Sequence, residues 1–418
     1  MVTTDVLYSK FSDLSYSITK QINKTEKQKH GIYFTPPETI KKIIDYLHPY
    51  MNNVQTVLEP SCGSCEFVLR LKGSYPTIHI TGLELNQTIF DSIQKYKDED
   101  MVLIQGDYLT YQFHNKFDLI IGNPPFNVLK KNEVHKSYHC YFDGRPNIFI
   151  LFIIKSLSLL NDGGILSFVL PKNFLNCLYY EKTRKYITTN YTILNIIDCS
   201  NDRYIDTQQD TIILILQKRS YEGTDDHNQN NDFTVIISDN TIFGTKLNIE
   251  NLKDLCVGSK TLFELGFTVT VGTVVWNQCK KDLCDDSSKT VLIYSSDITN
   301  NKLMVKQYIN KDKKNYIRKE GLRNPLLVIN RGYGKGSYTF NYCIINENEN
   351  DAIEYLIENH LICIHFKDPL PREELIAKYN HIIKSFKNEK TIRFIDLYFG
   401  NNAMNTTEMC KILPFYEI

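Results

Sequence analysis

The chain has 418 residues and a mass of 48.7 kDa, which exceeds the size at which a single hydrophobic core usually stops growing. Hydrophobic residues make up 42% of the chain and aromatic residues 12%, so a mainly disordered or fibrous protein is excluded. The 48 basic and 48 acidic residues leave no net charge, so contact with a polyanion would require a local basic patch.

The sequence contains no apolar run of about 18 residues, which a transmembrane helix would require. Its start, MVTTDVLYSKFSDL, lacks the basic and then apolar order of a signal peptide. We therefore expect a soluble, intracellular protein without membrane contact, whose eleven cysteines are free thiols.

Short apolar or β-branched runs alternate with helical segments from about residue 30 to 217. This pattern predicts a parallel sheet flanked by helices. The predicted strands are 54–60, 79–85, 101–107, 117–125, 163–171, 191–199 and 211–219. The predicted helices include 36–50 and 147–160, and the second is nearly all apolar, as expected of a helix buried against a sheet.

The polar stretch 220–233 is rich in Asn and Asp and predicts a surface loop or linker. Beyond it the pattern changes to short strands with polar turns and later helices, for example 351–366 and 371–386. We therefore expect two domains, one spanning residues 1–245 and the other 246–418.

FDLIIGNPPF places four motif residues directly after an apolar strand, at the sheet edge where α/β proteins bind ligands: Asn123, Pro124, Pro125 and Phe126. An exocyclic amine on an aromatic ring is a poor nucleophile, because its lone pair is delocalised into the ring. The side-chain carbonyl of Asn123 and the backbone carbonyl of Pro124 can accept both N–H groups and localise that lone pair. Phe126 offers a flat face for a planar substrate. The alternative is that Asn-Pro-Pro forms only a turn.

The ends of the first three strands carry residues suited to a nucleoside. Ser61, Gly63 and Ser64 lie in VLEPSCGSCEF after the first strand and permit close approach to the backbone. Glu84 ends the second strand at the spacing of an acid that binds ribose hydroxyls. Asp107 ends the third, where it can accept from an adenine amino group. These residues predict a nucleoside pocket, and the alternative is that the two acids are solvated loop residues.

These motifs, with GIYFTP (31–36) and FVLPKNFL (168–175), resemble those of the gamma-class DNA adenine-N6 methyltransferases of type II modification systems, in order and spacing. The resemblance covers roughly residues 30–220. It implies a Rossmann-like α/β fold with helices on both faces of the sheet, and a C-terminal α+β target recognition domain. VGTVVWNQ (271–278), NPLLVINRGYGKG (324–336) and FGNNAMNTTE (399–408) are similar to patterns in those recognition domains.

The resemblance implies contacts between S-adenosylmethionine and residues of several motifs, namely Thr35, Pro36, Glu59, Pro60, Ser61, Gly63, Glu84, Leu85, Asp107, Tyr108 and Asn123. It also implies that Asn123 and Pro124 hold a target adenine, with Pro125 completing the catalytic motif. Phe126 would then stack on one face of the base, and Tyr180 would support its edge or other face. Cys65 stands where the family usually has glycine.

The implied activity is that of an adenine-specific, site-specific DNA methyltransferase. It would transfer a methyl group from S-adenosylmethionine to N6 of an adenine flipped out of a short double-stranded DNA sequence, without a metal ion. Three alternatives stay open: an adenine-N6 RNA methyltransferase, an enzyme that methylates glutamine side chains, and a catalytically silent nucleic-acid-binding subunit. We expect a monomer, and a separately encoded cognate restriction endonuclease is a compatible partner.

Residues 301–340 contain ten Lys or Arg against only two acids, interleaved with four tyrosines. In a neutral chain this stretch is where contacts with DNA phosphates are expected. The predicted DNA-binding residues are Lys313, Lys314, Arg318, Lys319, Arg323, Arg331 and Lys335. The alternative is an ordinary solvated charged face.

Overall fold

The computed structural model describes residues 10–219, 232–308, 312–330, 340–399 and 404–416. The chain divides into two compact units, one formed by 1–236 with 240–249 and the other by 237–239 with 250–418. The expected boundary at residue 245 lies in the stretch where the chain passes between the units. Most of the expected linker, 220–231, lies outside the described residues.

Unit 1 is built on a seven-stranded sheet, and each strand overlaps one of the seven predicted runs. The strands are β1 (Thr56–Glu59), β2 (His79–Glu84), β3 (Met101–Gln105), β4 (Phe117–Gly122), β5 (Leu160–Pro171), β6 (Tyr191–Asp198) and β7 (Thr211–Lys218). The described helices of this unit that precede β7 are α1 (Asp13–Gln21), α2 (Lys24–His30), α3 (Pro37–Leu47), α4 (Glu66–Ser74), α5 (Gln87–Ile93), α6 (Ile148–Ser158) and α7 (Glu181–Asn190).

The strand order in this sheet is β3-β2-β1-β4-β5-β7-β6. The first five strands are parallel, but β7 is antiparallel to both β5 and β6, so the expectation of a purely parallel sheet was wrong for this strand. The twelve residues between β6 and β7 form a loop without a helix, whereas a parallel neighbour usually requires a helical crossover. The Rossmann-like α/β fold is nevertheless confirmed.

Helices cover both faces of the sheet. Successive strand residues point to opposite faces, so neighbouring residues of β4 contact different helices. On one face, Ile120 of β4 packs in a core with Phe149 and Ile153 of α6. On the other, Leu119 packs with Ile43 of α3 and with residues of α4. Among the described residues, no helix is long and apolar enough to cross a membrane. All eleven cysteines are free thiols, as predicted.

The chain passes between the units in a hairpin of β8 (Thr234–Ile237) and β9 (Asn240–Phe243), followed by α8 (Lys246–Cys256). Unit 2 contains a four-stranded sheet of order β11-β20-β17-β18 and another of order β12-β16-β13-β19. Their strands are β11 (Phe267–Val271), β12 (Leu283–Cys284), β13 (Thr290–Ile293), β16 (Tyr316–Ile317), β17 (Leu326–Asn330), β18 (Tyr342–Ile345), β19 (Tyr355–Ile357) and β20 (Leu361–Phe366).

The remaining described elements of unit 2 are short strands and three helices. They are β10 (Ser259–Lys260), β14 (Ile298–Thr299), β15 (Lys302–Leu303), β21 (Phe415–Tyr416), α9 (Arg372–Phe386), α10 (Glu389–Tyr398) and α11 (Thr406–Lys411). The predicted helix 371–386 is confirmed as α9. The combination of sheets and helices confirms the expected α+β character of the C-terminal region.

The predicted helix 351–366 was wrong, because this segment forms β19 and β20. Its apolar residues also fit a helical spacing, which makes a short run ambiguous. In the structure β20 lies between β11 and β17, and four consecutive residues from Leu361 to Ile364 are buried. A central strand buried on both faces gives this continuous apolar run rather than an alternating one.

We expect replacement of Arg184 to destabilise unit 1. This residue of α7 is fully buried, lies 3.0 Å from the Glu181 carboxylate and donates to the Thr241 carbonyl. Arg184→Ala leaves a buried carboxylate without this partner, so the free energy of unfolding in urea should fall by about 3–5 kcal/mol. Lys185→Ala is the control, because its pair with Glu181 is half exposed and should contribute about 1 kcal/mol or less. Equal losses in the two variants would contradict the prediction.

Candidate active site

A cavity of about 510 Å³ lies at the carboxyl ends of β1, β2, β3 and β4, where α/β sheets bind ligands. The predicted residues that line it are Thr35, Glu59, Pro60, Ser61, Gly63, Glu84, Leu85, Asp107, Tyr108, Asn123 and Pro125. The fold therefore brings five separate sequence motifs to one site. Pro36, Pro124, Phe126 and Tyr180 are not part of the lining.

The turn after β1 is joined to the end of β2 by hydrogen bonds. The Cys62 N–H donates to the Leu83 carbonyl at 2.7 Å, and the Gly63 N–H donates to Glu84 Oε2 at 2.9 Å. Gly63 has a φ of +50°, and a Cβ there would lie 3.3 Å from the Phe34 ring. Glycine therefore relieves both backbone strain and crowding at this point of the cavity wall.

Cys65 has a φ of +66°, the left-handed conformation that glycine adopts most easily. It is fully buried and stands at the N-terminal end of α4. Its N–H donates to the Cys62 carbonyl at 2.7 Å, and its side chain packs in a core with Val68. The turn thus keeps a glycine-like conformation although a Cβ is present, which costs roughly 1–2 kcal/mol.

Glu84 has its carboxylate held by the backbone. Its Oε2 accepts from Gly63, and its Oε1 accepts from the Asn86 N–H at 2.8 Å. Burial raises the pKa of Glu84, while these hydrogen bonds oppose the rise. Each carboxylate oxygen can accept a second hydrogen bond, so the fixed carboxylate can still receive ligand hydroxyls. Leu85 beside it is 54% exposed and adds apolar surface to the cavity.

The turn after β3 carries Asp107, which is exposed and accepts from the Leu109 N–H through Oδ1 at 2.9 Å. Tyr108 beside it is buried, with its hydroxyl 2.8 Å from Ser156 Oγ. The ammonium of Lys155 on α6 donates to the carbonyls of Tyr108 and Leu109 at 2.6 and 3.1 Å, and to that of Tyr111. One half-buried cation therefore fixes the backbone that presents Asp107.

Glu59 at the end of β1 is 2% exposed, and its Oε2 has no hydrogen-bond partner within the described chain. Burial is the main reason that its pKa lies well above the usual range. Burial thus makes this carboxyl group easier to protonate, and its unpartnered Oε2 can contact a ligand at the cavity wall.

Asn123 begins the loop after β4 with its side chain fixed at one end only. Its Nδ2 donates to the Tyr33 carbonyl at 3.3 Å, and Ser61 Oγ donates to its backbone carbonyl at 3.2 Å. Its Oδ1 is buried, and no described residue donates to it. A buried acceptor without a partner costs about 1–3 kcal/mol, and this cost would be relieved by a hydrogen-bond donor entering the cavity.

Both predicted stacking aromatics pack around Phe149 of α6. Phe126 is half-buried and perpendicular to Phe149, with ring centroids 6.1 Å apart. Tyr180 is 7% exposed, and its ring centroid lies 5.1 Å from that of Phe149. The neighbouring Tyr179 is 57% exposed. Stacking of Phe126 and Tyr180 on a base stays a prediction.

Three residues that were not predicted from the sequence hold the Asn-Pro-Pro-Phe loop: Gly31, Asn127 and Asn147. Gly31 has a φ of +66°, and a Cβ there would lie 2.8 Å from Pro125 Cβ. Asn127 Nδ2 donates to the Lys29 carbonyl, and Asn147 Nδ2 donates to the Phe126 carbonyl at 2.9 Å. Gly31 could have been found from its place in GIYFTP, whereas the two asparagines carry no recognisable pattern.

The structure describes five of the seven predicted DNA-binding residues, whereas Arg331 and Lys335 lie outside the described residues. Lys313 Nζ lies 4.0 Å from the centre of the Tyr294 ring and 4.3 Å from that of Tyr308. These are cation–π contacts between the ammonium group and the two rings. Lys313 therefore stabilises the packing of Tyr294 and Tyr308 in unit 2, as well as adding to the positive charge of this unit.

Three further cations form ion pairs in unit 2: Lys314 with Asp285 at 2.6 Å, Lys319 with Asp282 at 3.2 Å and Arg323 with Glu354 at 3.0 Å. Arg318, Lys319 and Arg323 also line a second cavity of about 630 Å³. Exposed ion pairs contribute only about 0–1 kcal/mol, so these cations can exchange their carboxylate partners for phosphates.

Residues 63–205 match the model of the Eco57I restriction-modification methylase family. The chain is 26% identical over 411 residues to Type II methyltransferase M.CvrRI of Paramecium bursaria Chlorella virus XZ-6E, which covers 97% of this chain and 99% of that protein. It is 25% identical over 416 residues to modification methylase CviBIII of Paramecium bursaria Chlorella virus NC1A, with the same shares covered. The solved structure of the type I restriction enzyme EcoKI M protein is 20% identical, with a TM-score of 0.36, and the match covers 45% of this chain and 44% of that one.

The family match and the two viral relatives confirm the predicted resemblance to type II modification methyltransferases. The chain is therefore similar to methyltransferases of the restriction-modification type, which agrees with S-adenosylmethionine as the expected cofactor. The cavity fits such a molecule chemically, because it combines a fixed carboxylate at Glu84, exposed apolar surface at Leu85 and a glycine turn at Gly63.

We expect the two simplest replacements of Cys65 to differ in stability. Cys65→Gly and Cys65→Ala both remove the thiol, but only the glycine variant removes the Cβ from the positive φ. The glycine variant should therefore have a free energy of unfolding about 1 kcal/mol higher than that of the alanine variant, measured by urea denaturation. Equal stabilities, or a more stable alanine variant, would show that the turn is not strained at this position.

Proposed function

We propose that this protein methylates N6 of an adenine that is flipped out of a short double-stranded DNA sequence. The observation that carries the proposal is the buried, unpartnered Oδ1 of Asn123 at the cavity. An acceptor in this position suits an incoming N–H group, and the exocyclic amine of adenine has two. The Pro124 carbonyl, next in the chain, is the proposed acceptor for the second.

The chemistry of the loop is activation of a poor nucleophile. With both N–H groups held by oxygens, the amine nitrogen moves toward tetrahedral geometry and its lone pair becomes available. S-adenosylmethionine would supply the methyl group from its sulfonium and leave as S-adenosylhomocysteine, and the methylated nitrogen would release one proton to solvent. The loop residues therefore act by orientation and hydrogen bonding, without forming a covalent intermediate.

The cofactor contacts follow the residues at the four strand ends. We assign the ribose hydroxyls to the fixed carboxylate of Glu84, and the adenine amino group to Asp107. Leu85 and Tyr108 supply apolar surface, while Thr35, Pro36, Pro60 and Ser61 complete the site. The carboxyl group of Glu59 adds a polar group beside Gly63. The unsatisfied oxygen of Glu59 supports a ligand contact there.

Extrusion of the adenine is required, because its N6 is paired inside the duplex. Breaking the stack costs a few kcal/mol, and stacking on an aromatic side chain returns roughly 1–3 kcal/mol. Phe126 is the proposed stacking platform, since it follows Asn-Pro-Pro directly and remains half-exposed. Tyr180 is proposed to support the base from a second side, after a local movement that uncovers its ring.

Unit 2 is the proposed DNA target recognition domain, with Lys313, Lys314, Arg318, Lys319, Arg323, Arg331 and Lys335 as its phosphate contacts. The cavity lined by Arg318, Lys319 and Arg323 supports this assignment for the described residues. Arg318 is the strongest of these candidates, because it is exposed and its guanidinium can bind a phosphate through two N–H groups. A separately encoded restriction endonuclease would complete the system.

The direct test is single-molecule sequencing of methylation-free plasmid DNA after incubation with the purified protein and S-adenosylmethionine. We expect N6-methyladenine confined to one short sequence motif. N4-methylcytosine instead would retain the loop chemistry but overturn the adenine assignment. No DNA methylation, with cofactor binding confirmed by calorimetry, would favour RNA or a protein glutamine as the substrate. No methylation and no cofactor binding would favour a silent nucleic-acid-binding subunit.

We expect Asn123→Ala to abolish most turnover while retaining cofactor binding. The substitution removes the unpaired acceptor, and loss of one oriented hydrogen-bonding group at a reacting centre typically lowers kcat by about 10²–10³-fold. Single-turnover methylation and calorimetric titration with S-adenosylmethionine are the measurements. Asn86→Ala is a matched control, because this asparagine also lines the cavity but lies on the cofactor side. Loss of cofactor binding together with activity in Asn123→Ala would contradict the assigned role.

We expect Phe126→Ala to lower kcat for DNA methylation by more than it weakens DNA binding. The ring is proposed to hold the base only after extrusion, so its loss should cost roughly 1–3 kcal/mol in that state. The measurements are methylation kinetics and the fluorescence of 2-aminopurine placed at the target adenine. A variant with unaltered turnover would remove Phe126 from the site. Phe113→Leu, which alters an aromatic ring packed against Phe117, controls for general loss of aromatic packing.

A further inference from the structure

Asn147 lies between the catalytic loop and helix α6 and is 6% exposed. The backbone around it holds the loop directly: the Leu129 N–H donates to the Pro146 carbonyl, and the Ile148 N–H donates to the Asn127 carbonyl, both at 2.8 Å. These two bonds bracket Asn147 and fix the chain immediately after Phe126.

The side-chain amide of Asn147 holds the catalytic loop at Phe126. Its Nδ2 donates to the Phe126 carbonyl at 2.9 Å. The rings of Phe126 and Tyr180 both pack on Phe149 of α6, with ring centroids 6.1 and 5.1 Å from that of Phe149. Because Asn147 directly precedes α6, its bond to Phe126 ties the loop to the helix that carries this shared aromatic residue.

Asn147 is the N-cap of α6 and accepts from the Phe149 N–H, but this cap explains only the role of its side-chain oxygen. An N-cap side chain acts through its oxygen, which accepts from the first turn, as Asn388 does from Lys390 at 2.9 Å. The corresponding bond from Phe149 to Asn147 Oδ1 is 3.4 Å long, beyond the usual range for N–H donors. The short bond of Asn147 is instead the one made by its Nδ2. The geometry of the amide is therefore set by the loop more than by the helix.

We propose that Asn147 is a positioning residue that fixes the Phe126 backbone relative to α6 and so holds the Asn-Pro-Pro-Phe loop in its reactive shape. Asn147 does not line the cavity, so it acts through Phe126 rather than on the reacting atoms. The claim about base support rests on the proposed function, whereas the claim that Asn147 orders the loop does not.

The test compares Asn147→Asp with Asn147→Ala, and uses Asn388→Ala as the matched cap control in unit 2. Aspartate has nearly the same shape as asparagine and is an equally good N-cap, but its ionised form cannot donate. The first readout is hydrogen–deuterium exchange at the amides of Leu129 and Ile148 in the full-length protein. The second is the kcat and KM of DNA methylation, measured between about pH 6 and pH 8, where side-chain carboxyls with raised pKa values titrate.

We expect both Asn147 variants to exchange these amides about tenfold faster, because the local opening that exposes them becomes easier. Their kcat at pH 8 should fall by about 10²-fold, with KM for S-adenosylmethionine nearly unchanged. In Asn147→Asp, protonation restores an O–H donor, so its kcat relative to wild type should rise by up to about tenfold per pH unit on acidification. Asn147→Ala should show no such recovery, and Asn388→Ala should change neither readout.

Exchange and kcat that stay at wild-type values in Asn147→Asp would overturn the proposal. So would a kcat ratio to wild type that does not depend on pH, because a purely structural role predicts no recovery on acidification. If the wild-type protein fails to methylate DNA, the proposed function fails, and the exchange measurement still decides whether Asn147 orders the loop. If methylation occurs and exchange is unchanged, only the role of Asn147 fails.

Discussion

The Oδ1 atom of Asn123 is buried, and no described residue donates a hydrogen bond to it. The surrounding structure must therefore hold this amide in one orientation. An asparagine free to rotate would turn this oxygen toward water or a backbone donor. The opposite end of the amide is instead tied to the Tyr33 carbonyl, and Gly31 permits the N-terminal segment to approach Pro125 closely. On the other side, Asn147 holds the Phe126 carbonyl. The loop is therefore preorganised from two directions, and the cost of the unpaired oxygen is met by the surrounding fold.

The cofactor side of the cavity follows a different design, in which side-chain charges fix backbone turns. The carboxylate of Glu84 ties the turn after β1 to the end of β2. The ammonium of Lys155 donates hydrogen bonds to three backbone carbonyls after β3. Cys65 shows how strongly this geometry is imposed, because its backbone keeps a positive φ despite the Cβ. Rigid turns at three strand ends suit a ligand that must be held in one orientation while its methyl group faces the loop.

The sequence predicted the seven strands of unit 1 and the cavity-lining motifs well, because both depend on local apolar runs and on residues at strand ends. It did not predict the reversed β7 or the strands in 351–366, since strand direction and central burial depend on distant partners. The sequence showed that Cys65 replaces the glycine usual in the family, but only the structure gave its φ. The role of Asn147 was not predictable, because its contact with Phe126 joins positions 21 apart in the chain without any periodic pattern. The ion pairs of Lys319 and Arg323 were likewise set by tertiary contacts.

The decisive measurement is a crystal structure of the protein with S-adenosylhomocysteine and a duplex that contains its recognition sequence. The preorganised loop requires the target adenine to lie outside the helix, with its N6 about 2.9 Å from Asn123 Oδ1 and within hydrogen-bonding distance of the Pro124 carbonyl. The same structure should show Asn123 Nδ2 still bonded to Tyr33, since no rearrangement of the amide is needed. An extruded base whose amine contacts neither oxygen, or an Asn123 amide that turns away to bond elsewhere, would contradict the role assigned to this loop.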